Sequence, residues 1–518
     1  MKLAVSSMIS EIDLFCAKRL GISMKTLMQK AGVAVADAVR ARVPAGKKIL
    51  VLAGKGNNGG DGYAAAVELM NEYSVKVYDI FSAGQKNEEG RYFLELFREN
   101  GGEIVNYTSF DEIKADISAV AGIIDAVFGT GFAGEMPEQL RPIAIAVREA
   151  VGSHKRAVDV PLGINPDNGS VSEYAIAATA TVSLSFIKPG IISYPARAHV
   201  GEIIYADLGI PKEAVFESFC LRYNMVDGEW VGENLPRREE NSNKGTFGKL
   251  LLITGSEKYR GAAHLSSEAA LRSGVGLVTF LGCKELVGEL SQKYPEIIYK
   301  EKRINDTLTD DDISQICELS ASHTATLIGS GSDNTEGLGR LTLALLASEG
   351  TPLILDADAL NALSAMGSDG ILALKKAKRP VIITPHPLEF ARLSMSDVTS
   401  VQLHRLEAAE KFALENKLTL VLKGAGTIIV GGDTVYINTN GSSALAKAGS
   451  GDVLAGVIAA FIAQGKTDPV SCAALAVYLH ARAAQNLAGE LSSYGVTPSD
   501  LPREIAKCIA DVEKNNLI

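Results

Sequence analysis

The stretch "KILVLAGKGNNGGDGYAAAVEL", residues 48–69, decides the fold. Its apolar run indicates a buried strand, its glycines a tight turn, and its alanine-rich end a helix. A strand that passes through a glycine-rich turn into a helix is typical of parallel α/β sheets, which bind ligands at the carboxyl ends of their strands. The spacing is not GxGxxG, so a turn that merely requires positive φ also explains the glycines.

The same alternation of short apolar runs and helical patterns continues along the 518 residues. It predicts an α/β protein with parallel sheets. Predicted strands are "KILVLAG", "SVKVYDIF", "GEIVNY", "GIIDAVFG", "RAVDVP" and "TVSLSF" in the first half, and "GKLLLITGS", "GLVTFLG", "ATLIGSGS", "PLILDAD", "PVIITPH" and "LTLVLKG" in the second. A polar segment interrupts the pattern near residues 210–235. We therefore expect domains at 1–212 and 236–518, joined by a linker at 213–235.

Composition limits the possible functions. The formal net charge is −10, which argues against a nucleic-acid partner because such domains usually carry a basic stripe. The six cysteines have neither CxxC nor metal-ligand spacing and fit a reducing compartment. No apolar run approaches the ~20 residues of a membrane span, and the first residues do not resemble a signal peptide. We expect a cytoplasmic protein without a membrane partner.

Polar side chains stand at three predicted strand ends of the first half. Asn58 follows the first strand, Asp125 lies in "IIDAVFGTGFAGE", and Asp159 lies in "AVDVPLG". Parallel strands deliver their carboxyl ends to one edge of the sheet, so these side chains can converge there. Their oxygens suit a hard cation. Simple loop capping explains each aspartate equally well.

In the second half, "AKAGSGDVLAG", residues 446–456, places Asp452 at the start of an apolar helix, directly after Gly449, Ser450 and Gly451. Unpaired backbone N–H groups and the positive end of the helix dipole make such a helix start an anion site. An aspartate beside a bound phosphate can take the proton from a hydroxyl that attacks phosphorus. Alternatively, Asp452 is only a favourable charge at a helix N-terminus.

Two aspartates in "LDADALN", Asp356 and Asp358, suggest a metal site. They follow a strand and precede a helical run, so helix capping explains them at least as well. We leave them out of the catalytic set.

The first half resembles the epimerase domain of the bifunctional NAD(P)H-hydrate repair enzymes. The likeness rests on "NNGGDG", "DAVFGTG" and "VDVPLG", in that order, and implies a Rossmann-like three-layer domain that interconverts the R and S forms of hydrated NADH or NADPH. Many members have Ser where this chain has Leu162, which leaves only a backbone carbonyl there. The resemblance places potassium ligands on Asn58, Asp125 and the Leu162 carbonyl, and substrate contacts on Asn57, Asn58, Gly59, Gly60, Asp61, Gly129, Thr130, Gly131, Phe132, Ala133, Gly134, Glu135 and Asp159. Asp159 is our choice for the acid/base group, because epimerisation at C6 must open and reclose the carbon–oxygen bond.

The second half resembles the dehydratase domain of the same family, a ribokinase-like α/β fold. "NKGTFGKLLLITGS", "LILDADALN", "TPHPLEFARL", "AKAGSGDVLAGVIAAFIAQG" and "AVYLHARAA" fall in family order, with Asn243 where several members have His. The resemblance places hydrate contacts on Ala262, Gly331, His386 and Asp452, with Asp452 catalytic. It places nucleotide contacts on Lys423, Gly424, Ala425, Gly426, Thr427, Gly449, Ser450 and Gly451. Glu389 corresponds to a carboxylate that organises magnesium, and His386 replaces the Asn of the related N-x-x-E motif.

The resemblance implies a repair enzyme that epimerises the hydrates and dehydrates the S form with ADP, giving AMP and phosphate. We expect Mg²⁺ and K⁺ as cofactors, ADP as co-substrate, and a homo-oligomer. An alternative is a vitamin-precursor alcohol kinase fused to a non-catalytic nucleotide-binding or scaffold domain. The two differ in whether the phosphate stays on carbon.

Overall fold

The computed structural model describes residues 1–81, 86–465 and 467–516. The chain divides into two compact units, one of residues Lys2–Tyr223 and the other from Asn224 onward together with Met1. The predicted linker 213–235 contains most of the helix Lys212–Ser218, the strand Tyr223–Met225 and the helix Gly228–Asn234. No described helix combines the length and the apolar character that crossing a bilayer demands.

The N-terminal unit alternates strands and helices from its second strand onward. Its strands are β1 Lys2–Leu3, β2 Lys48–Ala53, β3 Ser74–Asp79, β4 Glu103–Asn106, β5 Gly122–Ala126, β6 His154–Val158, β7 Ala180–Leu184 and β8 Glu202–Ala206. Its helices are α1 Ser6–Arg19, α2 Met24–Arg40, α3 Asn57–Leu69, α4 Glu88–Glu99, α5 Phe110–Ala119, α6 Arg141–Glu149, α7 Pro189–Ile192 and α8 Lys212–Ser218.

The sheet of this unit is parallel, in the order β4-β3-β2-β5-β6-β7-β8. Successive side chains of β2 enter opposite cores: Ile49 and Val51 join one buried cluster, and Leu50 and Leu52 join the other. Helices α1–α4 supply the first cluster, and α5 and α6 supply the second. Because successive side chains of β2 are apolar, the strand is buried on both faces. Helices therefore cover both sides of the sheet, which gives three layers.

The C-terminal unit has the same rhythm and ends in helices. Its strands are β9 Tyr223–Met225, β10 Lys249–Ile253, β11 Leu277–Gly282, β12 Ile298–Glu301, β13 Ala325–Ile328, β14 Leu353–Leu355, β15 Val381–Ile383, β16 Thr419–Leu422, β17 Ile428–Gly431 and β18 Thr434–Ile437. Its helices are α9 Gly228–Asn234, α10 Arg260–Arg272, α11 Lys284–Lys293, α12 Asp310–Ala321, α13 Glu336–Ala347, α14 Asp358–Ala365, α15 Ser368–Lys375, α16 Pro387–Leu393, α17 Val398–Leu403, α18 Arg405–Asn416, α19 Ser450–Gln464, α20 Pro469–Gly495 and α21 Leu501–Asn516.

The strands of this sheet lie in the order β9-β18-β17-β16-β15-β14-β13-β10-β11-β12. Neighbours from β16 to β12 are parallel, whereas β16, β17 and β18 are antiparallel. Helix α19 is buried from Val453 to Gln464 and belongs to the main core. The predicted α/β class is confirmed, and the antiparallel edge is an addition that the sequence pattern did not indicate.

Helices α2 and α3 approach each other closely at Gly32. A Cβ atom placed on Gly32 would lie 2.6 Å from Ala64 Cβ. We predict that Gly32→Ala lowers the free energy of unfolding of the N-terminal unit by about 1–3 kcal/mol, the usual cost of overpacking. Urea titration of the intact chain measures this. Val33→Ala, at an exposed neighbouring position, is the control and should change the midpoint little; equal effects of both variants would contradict the close approach.

Candidate active sites

Each sheet reverses its strand order at one point, and candidate site residues flank that point. In the N-terminal unit the reversal lies between β2 and β5. Asn57 and Asn58 stand at the start of α3, which follows β2, and Gly129 lies in the loop after β5. In the C-terminal unit the reversal lies between β10 and β13, followed by loops that lead to Ala262 and Gly331. Crevices at such switch points are the usual ligand sites of open α/β sheets.

The N-terminal unit contains a cavity of about 460 Å³ at this position. Its polar lining includes Asn57, Asn58, Asp61, Gly129, Thr130, Gly131 and Asp159 from the sequence prediction, together with Asp13, Lys55 and Lys188, which the sequence analysis did not single out. The remaining predicted residues lie outside the lining. Phe132 is buried in the core, and the side chain of Glu135 is 95% exposed near Arg141.

The glycines of the first loop bring strand and helix together. A Cβ atom on Gly59 would lie 2.0 Å from the Gly54 carbonyl oxygen, and one on Gly60 would lie 2.5 Å from Met28 Cε. These two glycines therefore serve close packing, and their neighbours Asn58 and Asp61 reach the cavity. Their packing role requires no positive φ, because Gly59 and Gly60 lie within α3.

Asp159 and Lys188 form a buried ion pair in this cavity. Lys188 Nζ contacts Asp159 Oδ1 and also donates a hydrogen bond to the Leu184 carbonyl, at 3.2 Å. The Leu184 N–H donates to the same Asp159 oxygen, at 3.0 Å. Asp159 has a φ of +65°, in the left-handed region that Asp and Asn tolerate better than most residues. The arrangement fixes one carboxylate oxygen of Asp159.

Asp125 lies one layer deeper and is 2% exposed. Its Oδ2 accepts a hydrogen bond from the Leu162 N–H at 2.7 Å, and its Oδ1 accepts one from the Val127 N–H at 3.3 Å. Burial raises the pKa of Asp125 to about 7, and the two backbone hydrogen bonds oppose that rise. No basic side chain pairs with it in the described part of the chain. A carboxyl group so placed suits a bound cation.

The other predicted potassium ligands lie near strand ends as well. The Leu162 carbonyl already accepts a hydrogen bond from the Ile176 N–H at 3.0 Å. Asn58 is buried, and within the described ranges its Nδ2 has no hydrogen-bond partner. A Cβ atom on Gly129 would lie 2.9 Å from Asn58 Oδ1, so that loop stands directly over the amide. Three oxygen donors of this kind fit K⁺ chemically.

In the C-terminal unit, α19 begins with the predicted anion-binding turn. Gly449 precedes the helix with φ +100°, and Ser450, Gly451 and Asp452 form its first turn. Ser450 Oγ is buried and has no hydrogen-bond partner among the described residues. A Cβ atom on Gly451 would lie 3.4 Å from Lys423 Nζ, so that ammonium group stands at the helix N-terminus. Backbone N–H groups, a free hydroxyl and a lysine together suit a phosphate group.

Asp356 holds the Lys423 ammonium group at the N-terminus of α19. Lys423 Nζ lies 3.0 Å from Asp356 Oδ1. Asp356 also accepts hydrogen bonds from Thr384 Oγ1 at 2.6 Å and Ser330 Oγ at 2.8 Å. The capping interpretation is therefore wrong for Asp356, because its side chain binds a lysine and two hydroxyls rather than the start of α14. The three partners lie far apart in sequence, so the spacing of "LDADALN" did not reveal them.

Asp452 stands in an acidic surrounding. Burial and, next, the negative charge of Asp356 raise the pKa of Asp452 to about 7, against the opposing effect of Lys423. A proton acceptor with a pKa near neutrality is well matched to general-base work. In the described residues, however, the carboxylates around Asp452 do not converge closely enough for three of them to enclose an ion.

His386 and Glu389 form a capping box at the start of α16. His386 Nδ1 accepts hydrogen bonds from the Leu388 and Glu389 N–H groups, both at 3.2 Å, and the His386 N–H donates to Glu389 Oε2 at 2.8 Å. The His386 side chain is still 47% exposed. Burial, and next the charge of Lys423, lowers its pKa. The ring therefore has a structural role and also a face available to a ligand.

The remaining predicted C-terminal residues occupy two places. Ala262 and Gly331 adjoin, since a Cβ atom on Gly331 would lie 2.5 Å from Ala262 Cβ. The segment from Lys423 to Thr427 joins β16 to β17 and contains positive φ values at Gly424 and Gly426.

A residue that the sequence analysis missed is His480 on α20. It is buried, and its Nε2 has no partner within the described residues. Burial lowers the pKa of His480 to about 4.

Comparison with known proteins covers both units. A family model described as NAD(P)H-hydrate dehydratase matches residues 250–507, and one described as YjeF-related protein N-terminus matches residues 24–190. The bifunctional NAD(P)H-hydrate repair enzyme Nnr of Moorella thermoacetica is 34% identical over 515 residues, covering 97% of this chain and 95% of that protein. The enzyme of the same name from Escherichia coli is 31% identical over 489 residues, covering 93% and 89%.

Among solved structures, the ADP/ATP-dependent NAD(P)H-hydrate dehydratase from Bacillus subtilis, co-crystallised with ATP/Mg²⁺, is 31% identical. It covers 56% of this chain and 97% of that chain, with a TM-score of 0.48.

The two ends of α19 allow a test of the anion-binding turn. Gly449 and Gly465 both have positive φ, and a Cβ atom on Gly449 would additionally lie 2.7 Å from Leu265 Cδ1. We predict that Gly449→Ala weakens ADP binding about tenfold or more, because a left-handed alanine costs about 1–2 kcal/mol and the turn must shift to accept it. Isothermal titration measures the Kd. Gly465→Ala carries the same backbone strain at the opposite end of the helix and should leave the Kd unchanged; equal losses in both would contradict the assignment.

Proposed function

The chain belongs to the bifunctional NAD(P)H-hydrate repair enzymes, and from that premise we propose which of its residues perform the two reactions. The family activity is epimerisation of hydrated NADH or NADPH and ADP-dependent dehydration of the S form. Relatives with this activity match over nearly the full length of the chain. These matches favour the repair enzyme over the alternative of an alcohol kinase fused to a non-catalytic domain.

For dehydration, Asp452 is the proposed base. It takes the proton of the substrate hydroxyl as that oxygen attacks the terminal phosphorus of ADP. The N–H groups of Gly449, Ser450 and Gly451, with Lys423, stabilise the charge on the transferred group. Phosphorylation makes a poor leaving group a good one and releases AMP. The C6–oxygen bond then breaks with its electron pair on phosphate, a proton leaves C5 to solvent, and the carbon–carbon double bond of the reduced nicotinamide forms again. The observation that supports this assignment most is the juxtaposition of Asp452, Lys423 and the unpartnered Ser450 hydroxyl at one helix start.

The contacts proposed for the ligands follow the predicted sets. Hydrate contacts are Ala262, Gly331, His386 and Asp452, and the nucleotide lies along 423–427 and 449–451. Glu389 is proposed to organise Mg²⁺, which when bound offsets phosphate charge; its engagement with His386 means that it would act beside the phosphates rather than enclose the ion alone.

For epimerisation, Asp159 is the proposed acid/base group, in the cavity that also contains Asn57, Asn58, Asp61 and residues 129–131. K⁺ is proposed to bind Asn58, Asp125 and the Leu162 carbonyl, where it would supply the positive charge that buried Asp125 lacks. We also propose domain limits of 1–212 and 236–518, a homo-oligomer and a cytoplasmic location.

We predict that single amide substitutions separate the two reactions. With R and S hydrates, ADP, Mg²⁺ and K⁺, Asp452→Asn should abolish recovery of the near-ultraviolet absorbance of reduced nicotinamide, because general-base catalysis contributes about 10²–10⁴-fold. The same variant should still interconvert R and S, followed by chromatography. Asp433→Asn, at an exposed position of the same unit, is the control. If Asp452→Asn retained full recovery, the base assignment would be wrong.

For Asp159→Asn we predict a biphasic recovery. The S form present at the start is consumed at the normal rate, and the R form follows only at the rate of spontaneous epimerisation. Asp111→Asn, exposed on α5, should show a single fast course. A single fast course in Asp159→Asn as well would exclude Asp159 from the reaction.

Replacement of K⁺ by Na⁺ tests the ion site. We predict a loss of epimerase rate in the wild type, since the Asp125 carboxyl has no other cation among the described residues. Asp125→Asn should be slow in either salt. The rate measured against K⁺ concentration decides: a wild type that is indifferent to the ion would contradict the site.

A further inference from the structure

The epimerase cavity contains three carboxyl groups and one buried ammonium. Asp13 comes from α1, Asp61 from α3, Asp159 from the end of β6 and Lys188 from the residue before α7. We propose that Lys188 is a positioning residue of the epimerase reaction, which holds Asp159 as the ionised base and leaves Asp61 to supply the proton. This inference rests on the proposed epimerase function and adds the roles of Lys188 and Asp61 to it.

The contacts of Lys188 determine which oxygen of Asp159 can react. Lys188 is 1% exposed, and its Nζ contacts Asp159 Oδ1. The Leu184 N–H donates to the same oxygen, at 3.0 Å. Within the described residues Oδ2 accepts no hydrogen bond, and Asp159 lines the cavity. Oδ2 is therefore the atom available for proton exchange.

The number of charges determines which carboxyl groups are protonated. The buried ammonium group of Lys188 can pair with one carboxylate, and its partner is Asp159. No described basic side chain forms an ion pair with Asp13 or Asp61, and Lys55, which also lines the cavity, is exposed. Burial raises the pKa of Asp61 well above its ordinary value, and the charges of Asp159 and Asp13 raise it further. Burial likewise raises the pKa of Asp13 to about 6.

An acid and a base in one cavity match what epimerisation needs. Asp61 gives its proton to the C6 hydroxyl; the carbon–oxygen bond breaks, its electron pair leaves with water, and the lone pair of the ring nitrogen forms a nitrogen–carbon double bond. A water molecule then adds to the other face of C6, the π pair returns to nitrogen, and Asp159 Oδ2 takes the proton of that water. Transfer of this proton back to Asp61 through solvent restores the site. The carboxylates also stabilise the cation.

The pH profile of epimerisation tests the role of Lys188. Without its ammonium, the base needs a higher pH to ionise beside the other carboxyl groups, by about 1–3 units for loss of a close opposite charge. In Lys188→Met we expect the acidic limb of kcat/KM to move to higher pH by that amount, so that the rate at a pH well below the wild-type midpoint falls at least about tenfold and recovers as the pH rises. Lys188→Arg should restore the wild-type limb. Lys47→Met, at an exposed lysine before β2, should match the wild type.

A uniform loss at every pH, or an unchanged profile, in a folded Lys188→Met would overturn the proposal. If the single variant does not fold, the pair Asp159→Asn and Asp159→Asn/Lys188→Met carries the test, since the double variant leaves no unpaired charge. Equal residual rates support action through Asp159, whereas a further loss in the double variant overturns it. A wild type that does not interconvert R and S would instead refute the proposed function, so the two failures are distinguishable.

Discussion

A buried carboxylate is stabilised by a positively charged partner. In each candidate site a single lysine is that partner for one carboxylate, and the rest of the site depends on this ion pair. Lys188 pairs with Asp159 in the N-terminal unit, and Lys423 pairs with Asp356 in the C-terminal unit. In each unit further carboxyl groups surround the pair and obtain no cation of their own. Desolvation and like charges then raise the pKa of these carboxyl groups. The lysine thus determines which carboxylate is part of an ion pair and which carboxyl groups are left without one.

The sheets explain why these groups meet at all. Most buried strand positions of both sheets are apolar, and most polar groups of the sites lie at or just beyond strand ends. Asp125 lies near the end of β5, Asp159 directly follows the neighbouring strand β6, and Asn58 lies at the start of the helix after β2. Asp356 and Lys423 directly follow β14 and β16. Helix α19 contributes the second half of its site through its N-terminus, while the rest of that helix is core. Stability and chemistry therefore use different parts of the same elements.

The sequence predicted the α/β class and most central strands, because short continuous apolar runs bounded by glycine or proline are typical of buried strands. It also indicated the two glycine-rich helix starts. It did not reveal Lys188 or Asp13, because each reaches its partners across a separation in sequence that no local pattern encodes; a lysine enclosed by apolar residues in "SFIKPG" was the available signal. Asp356 was misinterpreted for the same reason. The edge strand β12 was not predicted, because its four residues, IYKE, include two charged side chains and form no continuous apolar run.

The backbone of Asp159 has one further consequence. Its left-handed conformation is accessible at low cost to glycine, asparagine and aspartate, and costs other residues about 1–2 kcal/mol. Among those three only aspartate can carry a proton. A substitution at this position is therefore affected by main-chain geometry as well as by chemistry: a longer acid such as glutamate would keep an exchangeable proton but would add strain to the turn after β6.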